Sequence, residues 1–309
     1  MEEVLGGGDG TDWLREGTSR SNAAVMATKR DGNNPAWLLN RDALRIISEG
    51  STTAQVDPLL LCRFLLEACI NRGVRLHQPA RPISLTRSSS GTISSVEIIN
   101  ASTQETKTLI CTNLVLAAGA WTPEVYRLLF PNSKLKIPVT ALAGHSLVLQ
   151  SPHWPPLKYD QRKGDNPLHR QDCHAVFTTD IEAGYCPEVF SRMPDGYIYL
   201  AGLNSSTYPL PKVVNERVID PKSIAVLKKT ANRLLGNDFV VVKESVCFRP
   251  VAQRGVPLIA ELTEEGEENV FVATGHGPWG ISNSLGTGFC VAGMVEGRDM
   301  MEYVGCLGF

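Results

Sequence analysis

The most informative local pattern in this chain is the stretch Val270-Phe271-Val272-Ala273-Thr274-Gly275-His276-Gly277-Pro278-Trp279-Gly280. Its first four residues form an apolar run that predicts a buried strand, and a helix is predicted from about Ser284 to Glu296. The glycines between them, spaced Gly275-x-Gly277-x-x-Gly280, permit a tight turn and the close approach of the backbone to a ligand. A helix start adds unpaired N–H groups. The stretch therefore predicts a strand, a glycine loop and a helix that bind the electron-rich edge of a ligand.

These glycines do not make a complete dinucleotide-binding fingerprint. Such a fingerprint needs a second parallel strand and an acidic residue about 20 residues further on. Glu296 and Asp299 lie near that spacing, but only ten residues follow Asp299. Pro278 and Trp279 also occupy positions where the fingerprint has small residues. A strand-to-helix turn that needs glycine for conformational reasons alone is the other interpretation of this loop.

A second strand that leads into small residues lies earlier in the chain, at Leu114-Val115-Leu116-Ala117-Ala118-Gly119-Ala120-Trp121. Small residues after a buried strand allow the backbone to approach a phosphate or a ribityl chain. Tight packing of an ordinary crossover explains the same residues equally well.

Two polar side chains are candidates for binding a substrate. Arg249 stands in Cys247-Phe248-Arg249-Pro250, at the end of a predicted strand. Its guanidinium can hold a carboxylate through two parallel hydrogen bonds, although a surface ion pair is the alternative role. His276 lies inside the glycine loop and can polarise a ligand oxygen or serve as a structural hydrogen-bond partner.

No metal site is predicted. Three histidines and two aspartates lie in or beside a polar segment, but they lack the close spacing of metal ligands; they are His153, Asp165, His169, Asp172 and His174. The eight cysteines contain no C-x-x-C pair, so we expect them to act as small buried hydrophobic residues.

Composition excludes several classes of protein. The 309 residues are 43% hydrophobic and 20% charged, a globular balance with room for about two domains. The net charge of −2 provides no basic field for nucleic acid. No apolar run approaches the roughly 20 residues that span a bilayer, and the acidic start, Met1-Glu2-Glu3, is unlike a signal peptide. We therefore expect a cytoplasmic protein with no nucleic-acid partner and no membrane span.

Other local patterns outline a mixed α/β architecture. Residues 1–50 are predicted to be largely irregular, with a brief strand at Arg45-Ile46-Ile47. A helix with an apolar stripe is predicted after Asp57. Asp57 can cap this helix, and Pro58 suits its first position. Short strands are predicted at 74–77, 135–139 and 145–150, among others. The pattern predicts one α/β nucleotide-binding layer and one antiparallel-sheet domain.

Four segments, taken in order, resemble the FAD-dependent oxidoreductases that include D-amino acid oxidase, glycine oxidase and sarcosine oxidase. They are Ala54-Gln55-Val56-Asp57-Pro58, Leu114 to Trp121, Cys247 to Pro257, and Val270 to Gly288. The sequences from Thr52 to Pro58 and from Gly275 to Ile281 are most similar to those of the cytosolic FAD oxidoreductases of fungi. The resemblance covers about residues 10–300.

The resemblance implies a glutathione-reductase-like FAD-binding layer formed by residues 54–138 and 250–309. It also implies an antiparallel substrate domain over 139–249 and an irregular remnant over 1–53. The implied cofactor is FAD, and the implied substrate is a small amine or amino acid that loses a hydride, with oxygen as the acceptor. The implied cofactor-binding residues are Ala118, Gly119, Ala120, Trp121, Gly275, Gly277, Pro278, Trp279, Gly280 and Ile281, and the implied substrate-binding residues are Arg249 and His276.

The chain departs from that family near its start. The family begins with a strand and a G-x-G-x-x-G loop, whereas Gly6-Gly7-Gly8-Asp9-Gly10 has no strand before it and Thr11 occupies the third glycine position. The expected FAD-binding domain is therefore truncated at its N-terminal side. Two alternative functions remain at this point: a cofactor-free interaction or trafficking protein, and an NAD(P) dehydrogenase that uses the C-terminal glycines.

Overall fold

The computed structural model describes residues 24–26, 35–39, 44–48, 54–156, 173–192, 195–262 and 267–309. The chain divides into two compact units. Unit 1 comprises residues 1–56 and 143–247, and unit 2 comprises residues 57–142 and 248–309. The predicted roles of the domains, FAD-binding for 54–138 and 250–309 and substrate-binding for 139–249, stay predictions.

Unit 1 is built on a large sheet. Within the described residues its strand order is β11-β7-β10-β9-β8-β1-β2. The strands are β1 (Ala24–Met26), β2 (Arg45–Ser48), β7 (Val139–Gln150), β8 (Ala175–Phe177), β9 (Glu188–Ser191), β10 (Tyr197–Ser205) and β11 (Val240–Ala252). β1 and β2 pair in parallel. β9 pairs antiparallel with β8 and with β10, and β10 pairs antiparallel with β7.

One helix, α3 (Pro221–Leu235), covers a face of this sheet. Asp220 caps it by accepting hydrogen bonds from the N–H groups of Lys222 and Ser223, and Pro221 occupies its first turn. Its apolar stripe packs on the inward side chains of the strands; the fully buried residues include Leu147, Leu149, Val189, Ile198, Leu200, Leu227 and Ala231.

Unit 2 contains the two strands that the sequence analysis singled out. β13 (Val270–Thr274) lies between β12 (Leu258–Glu261) and β6 (Leu114–Leu116). β13 is antiparallel to β12 and parallel to β6. A second described sheet has the antiparallel order β3 (Ala80–Arg87), β4 (Ile93–Asn100), β5 (Thr106–Ile110).

β13 is buried on both faces, as is typical of strands in parallel sheets. Val270 and Val272 pack with α2 (Thr122–Leu129) in one buried cluster, and Phe271 packs with α4 (Gly280–Val295) in another. The short helix α5 (Met301–Val304) completes the second cluster. The predicted buried strand at this position is thus confirmed.

Helix α1 (Pro58–Ile70) forms where the sequence predicted it, with Asp57 as its N-cap and Pro58 in its first turn. Its predicted apolar stripe, however, is not buried: no residue of α1 is buried, and Phe64 is 67% exposed. A helix face is buried only where another element packs on it, and no side chain of α1 belongs to a buried cluster of the described residues.

Several other expectations need correction. Ala24–Met26, predicted to be irregular, is a strand because it pairs with β2 and β8. Residues 74–77 form no strand, since no described strand pairs with them. The strand predicted over 145–150 is the second half of a longer strand, β7, which begins at Val139, whereas 135–138 of the strand predicted over 135–139 form no strand. Helix α4 begins at Gly280 instead of Ser284, because a 3₁₀ turn at Gly277–Trp279 leads directly into it.

The expectation that the cysteines are buried is mostly wrong. Of the eight, Cys290 alone is buried, and Cys62, Cys69, Cys247 and Cys306 are exposed. Two of the exposed cysteines, Cys62 and Cys69, lie on α1, and their exposure follows from the lack of packing on that helix.

Candidate functional site

The two glycine-containing loops leave the same edge of one sheet. Leu114 pairs with Val270 and Leu116 with Val272, so β6 and β13 run in parallel and end side by side. The carboxyl ends of parallel strands are the usual place for ligands in open α/β sheets. All ten predicted cofactor-binding residues lie in these two loops or at the start of α4; they are Ala118 to Trp121, Gly275, and Gly277 to Ile281.

The loop after β6 turns sharply at Gly119. This residue has φ +57°, a left-handed conformation that favours glycine, and a Cβ atom placed there would meet nothing within 4 Å. A 3₁₀ turn, Gly119–Trp121, then leads into α2. At the start of α2 the fully buried Thr122 Oγ1 has no hydrogen-bond partner among the described residues. Space beside Gly119 and an unpaired hydroxyl next to it fit a polar ligand at this loop.

The loop after β13 combines one tightly packed glycine with one open glycine. Gly275 has φ +80°, and a Cβ atom there would lie 2.8 Å from Ala252 Cβ. Gly277 has φ +55° with open space around it. No side chain caps α4. The first glycine thus permits close packing of the loop against β11, and the second leaves open space at the start of the helix.

Thr274 joins the two loops. Its side chain is 1% exposed, and its Oγ1 donates a hydrogen bond to the Gly119 carbonyl over 2.9 Å. Sequence reasoning missed this residue. The available signal was a threonine at the last position of an otherwise apolar strand, directly before the first glycine of the loop.

The last residues of β11, Phe248 to Ala252, belong to unit 2 and contact both loops. Val251 forms an antiparallel bridge with His276, and the Phe248 ring meets the Trp121 ring edge-to-face, with centroids 6.0 Å apart. Arg249 lies on this strand between those two contacts and is half-buried. The structure therefore places the predicted carboxylate-binding arginine on the strand that adjoins both predicted cofactor loops.

His276 is held at its backbone and at its ring. Its Nε2 lies 2.9 Å from Thr287 Oγ1, eleven residues further along the chain in α4. Burial lowers the pKa of His276 from its ordinary value, so the neutral ring is favoured at neutral pH.

His145, the other histidine that follows a glycine, has a structural role in unit 1. It is 2% exposed, and its Nε2 accepts a hydrogen bond from the Asp220 N–H over 3.2 Å. Burial lowers its pKa, and the nearby Asp220 carboxylate opposes that shift.

Among the described residues, no three His, Cys, Asp or Glu side chains form a group that could hold a metal ion. His153 contacts Asp238 Oδ2 at 3.0 Å instead. Asp165, His169 and Asp172 lie outside the described residues. No helix in the described part of the chain is both long and apolar enough to cross a bilayer.

Comparison with known proteins adds a family to this geometry. The sequence profile described as "FAD dependent oxidoreductase" (DAO) matches residues 12–294. An oxidoreductase of Schizosaccharomyces pombe is 26% identical over 180 residues, which are 57% of this chain and 40% of that protein. The match thus spans less than half the length of this relative.

Solved structures share the fold. Glycine oxidase from Geobacillus kaustophilus superposes with a TM-score of 0.63 at 18% identity, over 99% of this chain and 78% of the oxidase. L-proline dehydrogenase from P. horikoshii gives a TM-score of 0.62 at 13% identity, over 98% and 79% of the two chains. These similarities confirm the predicted mixed α/β fold of this flavoprotein type. The chain belongs to the DAO family of FAD-dependent oxidoreductases, whose cofactor is FAD.

Proposed function

We propose that this chain binds FAD and uses it to oxidise the C–N bond of a small amine or amino acid. The observation that carries the proposal is the pair of glycine loops, joined by the bond from Thr274 to Gly119, at the carboxyl edge of two parallel strands. Open space at Gly119 and Gly277 supports close contact between backbone and cofactor. Bound FAD supplies the hydride acceptor, and the protein supplies orientation and electrostatics.

In the proposed reaction the substrate carbon gives up a hydride and its nitrogen gives up a proton, which converts the amine to an imine. The two electrons then pass to molecular oxygen, which takes up two protons and becomes hydrogen peroxide. Arg249 binds the substrate carboxylate through its guanidinium, because a planar pair of N–H donors matches two carboxylate oxygens. His276 contributes a ring N–H to an oxygen of the bound ligand.

The exposure of α1 favours one alternative. A helix whose Leu59, Leu60 and Phe64 are each more than half exposed is a candidate surface for protein contact. The second candidate function is therefore the cofactor-free interaction protein. A cytoplasmic location stays a prediction under both functions.

An anaerobic reduction experiment tests the proposal. The purified chain is loaded with FAD, freed of excess cofactor and mixed under argon with a panel of amino acids and amines. We expect at least one substrate to bleach the visible flavin band, and admission of air to restore the band and release peroxide. A protein that stays colourless after incubation with FAD contradicts the proposal and favours the interaction protein. Binding of NADPH without FAD favours the dehydrogenase.

Two glycine variants provide a matched control for cofactor loading. Gly119 and Gly91 both have left-handed φ angles and open surroundings, but Gly91 lies in the turn between β3 and β4. Alanine costs a similar backbone strain at both positions. We therefore expect Gly119→Ala to reduce FAD loading and Gly91→Ala to leave it unchanged.

A further inference from the structure

The His276 ring has a defined hydrogen-bond partner that the proposed function has not yet used. Its Nε2 lies 2.9 Å from Thr287 Oγ1. The backbone of His276 is fixed independently, by the bridge to Val251 and by the hydrogen bond from the Trp279 N–H to the His276 carbonyl over 3.0 Å. The side chain of Thr287 is therefore the contact that determines how the ring is oriented and protonated.

The surroundings of Thr287 favour one direction of this hydrogen bond, in which the hydroxyl donates to the ring. A threonine inside a helix commonly donates its hydroxyl hydrogen to the carbonyl three or four residues earlier. Within the described residues, the Thr287 hydroxyl has His276 Nε2 as its hydrogen-bond partner and no backbone carbonyl. Its hydrogen is thus available to the ring. A neutral imidazole that accepts a hydrogen bond at Nε2 carries its own hydrogen on Nδ1.

We infer that Thr287 is a positioning residue that holds His276 in the Nδ1–H tautomer, so that the ring offers an N–H donor to the ligand of the Gly275–Gly280 loop. The ligand part of this inference rests on the proposed function, whereas the tautomer itself does not. The lowered pKa of His276 is consistent with it, because a tautomer is defined only for the neutral ring.

Nuclear magnetic resonance of the cofactor-free full chain tests the tautomer directly. In a protein with ¹⁵N-labelled histidine, the cross-peak pattern between ring nitrogens and carbon-bound ring protons distinguishes Nδ1–H from Nε2–H. His276→Asn assigns the signals. His145 is an internal reference, because the Asp220 N–H can only donate to its Nε2 and therefore requires the same Nδ1–H tautomer.

Two substitutions separate the hydroxyl from the shape of the side chain. Thr287→Val removes the hydroxyl and keeps the branching, and Thr287→Ser keeps the hydroxyl. We expect Nδ1–H in the wild type and in Thr287→Ser. In Thr287→Val we expect a shift toward Nε2–H by roughly fivefold, the effect of losing one neutral hydrogen bond. Unchanged His145 signals show that the variant is folded. An Nε2–H pattern in the wild type, or an unchanged pattern in Thr287→Val, overturns the inference.

FAD affinity, measured by quenching of flavin fluorescence, tests the ligand part. The fraction of molecules with the competent tautomer sets the apparent affinity, so Thr287→Val should bind FAD several-fold more weakly than Thr287→Ser. Equal affinities of the two variants overturn the role toward the ligand. If no variant binds FAD while the tautomers are as expected, the proposed function fails and the positioning of His276 by Thr287 stands.

Discussion

Replacing Thr274 by valine should loosen the two candidate cofactor loops. Valine keeps the shape of threonine, so no cavity forms, but the hydrogen bond to the Gly119 carbonyl is lost. A neutral hydrogen bond contributes about 1 kcal/mol net. The Gly119 carbonyl also accepts a hydrogen bond from the Thr122 N–H, so it keeps one partner after the substitution. We therefore expect a loss of about 1 kcal/mol in local stability.

Native-state hydrogen exchange measures this loss where it occurs. The N–H groups of Trp121 and Trp279 donate to the carbonyls of Ala118 and His276, one within each loop. A loss of about 1 kcal/mol in opening free energy accelerates exchange of these amides by a factor of about 5. Thr274→Ser, which retains the hydroxyl, should exchange close to the wild-type rate.

Thr140→Val is the matched control. Thr140 also donates its hydroxyl to a backbone carbonyl, that of Val251, but it is exposed and the distance is 3.4 Å. Its loss should change stability by less than about 0.5 kcal/mol. Equal exchange rates in Thr274→Val and Thr140→Val would show that the buried hydrogen bond of Thr274 stabilises the loops no more than the exposed one of Thr140, contrary to this prediction.

Three further substitutions have defined outcomes. Gly277→Ala places an alanine in a left-handed conformation at φ +55° and should lower stability by about 1 kcal/mol. Gly288→Ala, in the open helix interior of α4, should raise stability by about 0.5–1 kcal/mol. Urea midpoints that shift in the same direction from wild type in both variants would contradict this. Burial lowers the pKa of folded His145, so the folded state binds the proton less tightly than the unfolded chain. The stability contribution is therefore complete above about pH 6.5 and declines as the pH falls below it. His145→Gln, which can still accept from the Asp220 N–H, should show a smaller decrease of the urea midpoint on acidification; an equal decrease would assign the pH dependence to other groups. Arg249→Ala should raise KM for amino acids roughly tenfold or more and leave KM for amines without a carboxylate unchanged; a parallel rise for both substrate classes would remove the carboxylate-binding role.

Local sequence patterns predicted the separate parts of the candidate site. The apolar run at β13, the glycines after it and the helix that follows are all encoded within about 25 residues, where periodicity and glycine placement are informative. The same holds for β6 and its small-residue loop. Asp57 likewise indicated the start of α1, because a helix cap is a local interaction.

What brings these parts together is not local. β6 and β13 are more than 150 residues apart in the chain, and the sequence of neither strand indicates which strand pairs with it. The bond from Thr274 to Gly119 depends on that pairing, and so does the contact of β11 with both loops. The same limit explains the strand at Ala24–Met26, which exists through its pairing with β2 and β8.

Burial was also less predictable than secondary structure. The sequence of α1 has an apolar composition that predicts a packed face, yet the helix forms with every residue at least partly exposed. Periodicity shows which residues share a side of a helix, but a buried side also requires an element that packs against it.

The FAD dissociation constants of the wild type and of three alanine variants test whether the two loops form one cofactor site. Gly119→Ala and Gly277→Ala change the two loops separately, and Gly91→Ala adds the same kind of strain elsewhere in unit 2. We expect the wild type and Gly91→Ala to bind FAD with similar affinity and both loop variants to bind it more weakly. Weakening by only one loop variant, or equal binding by all four proteins, would contradict it.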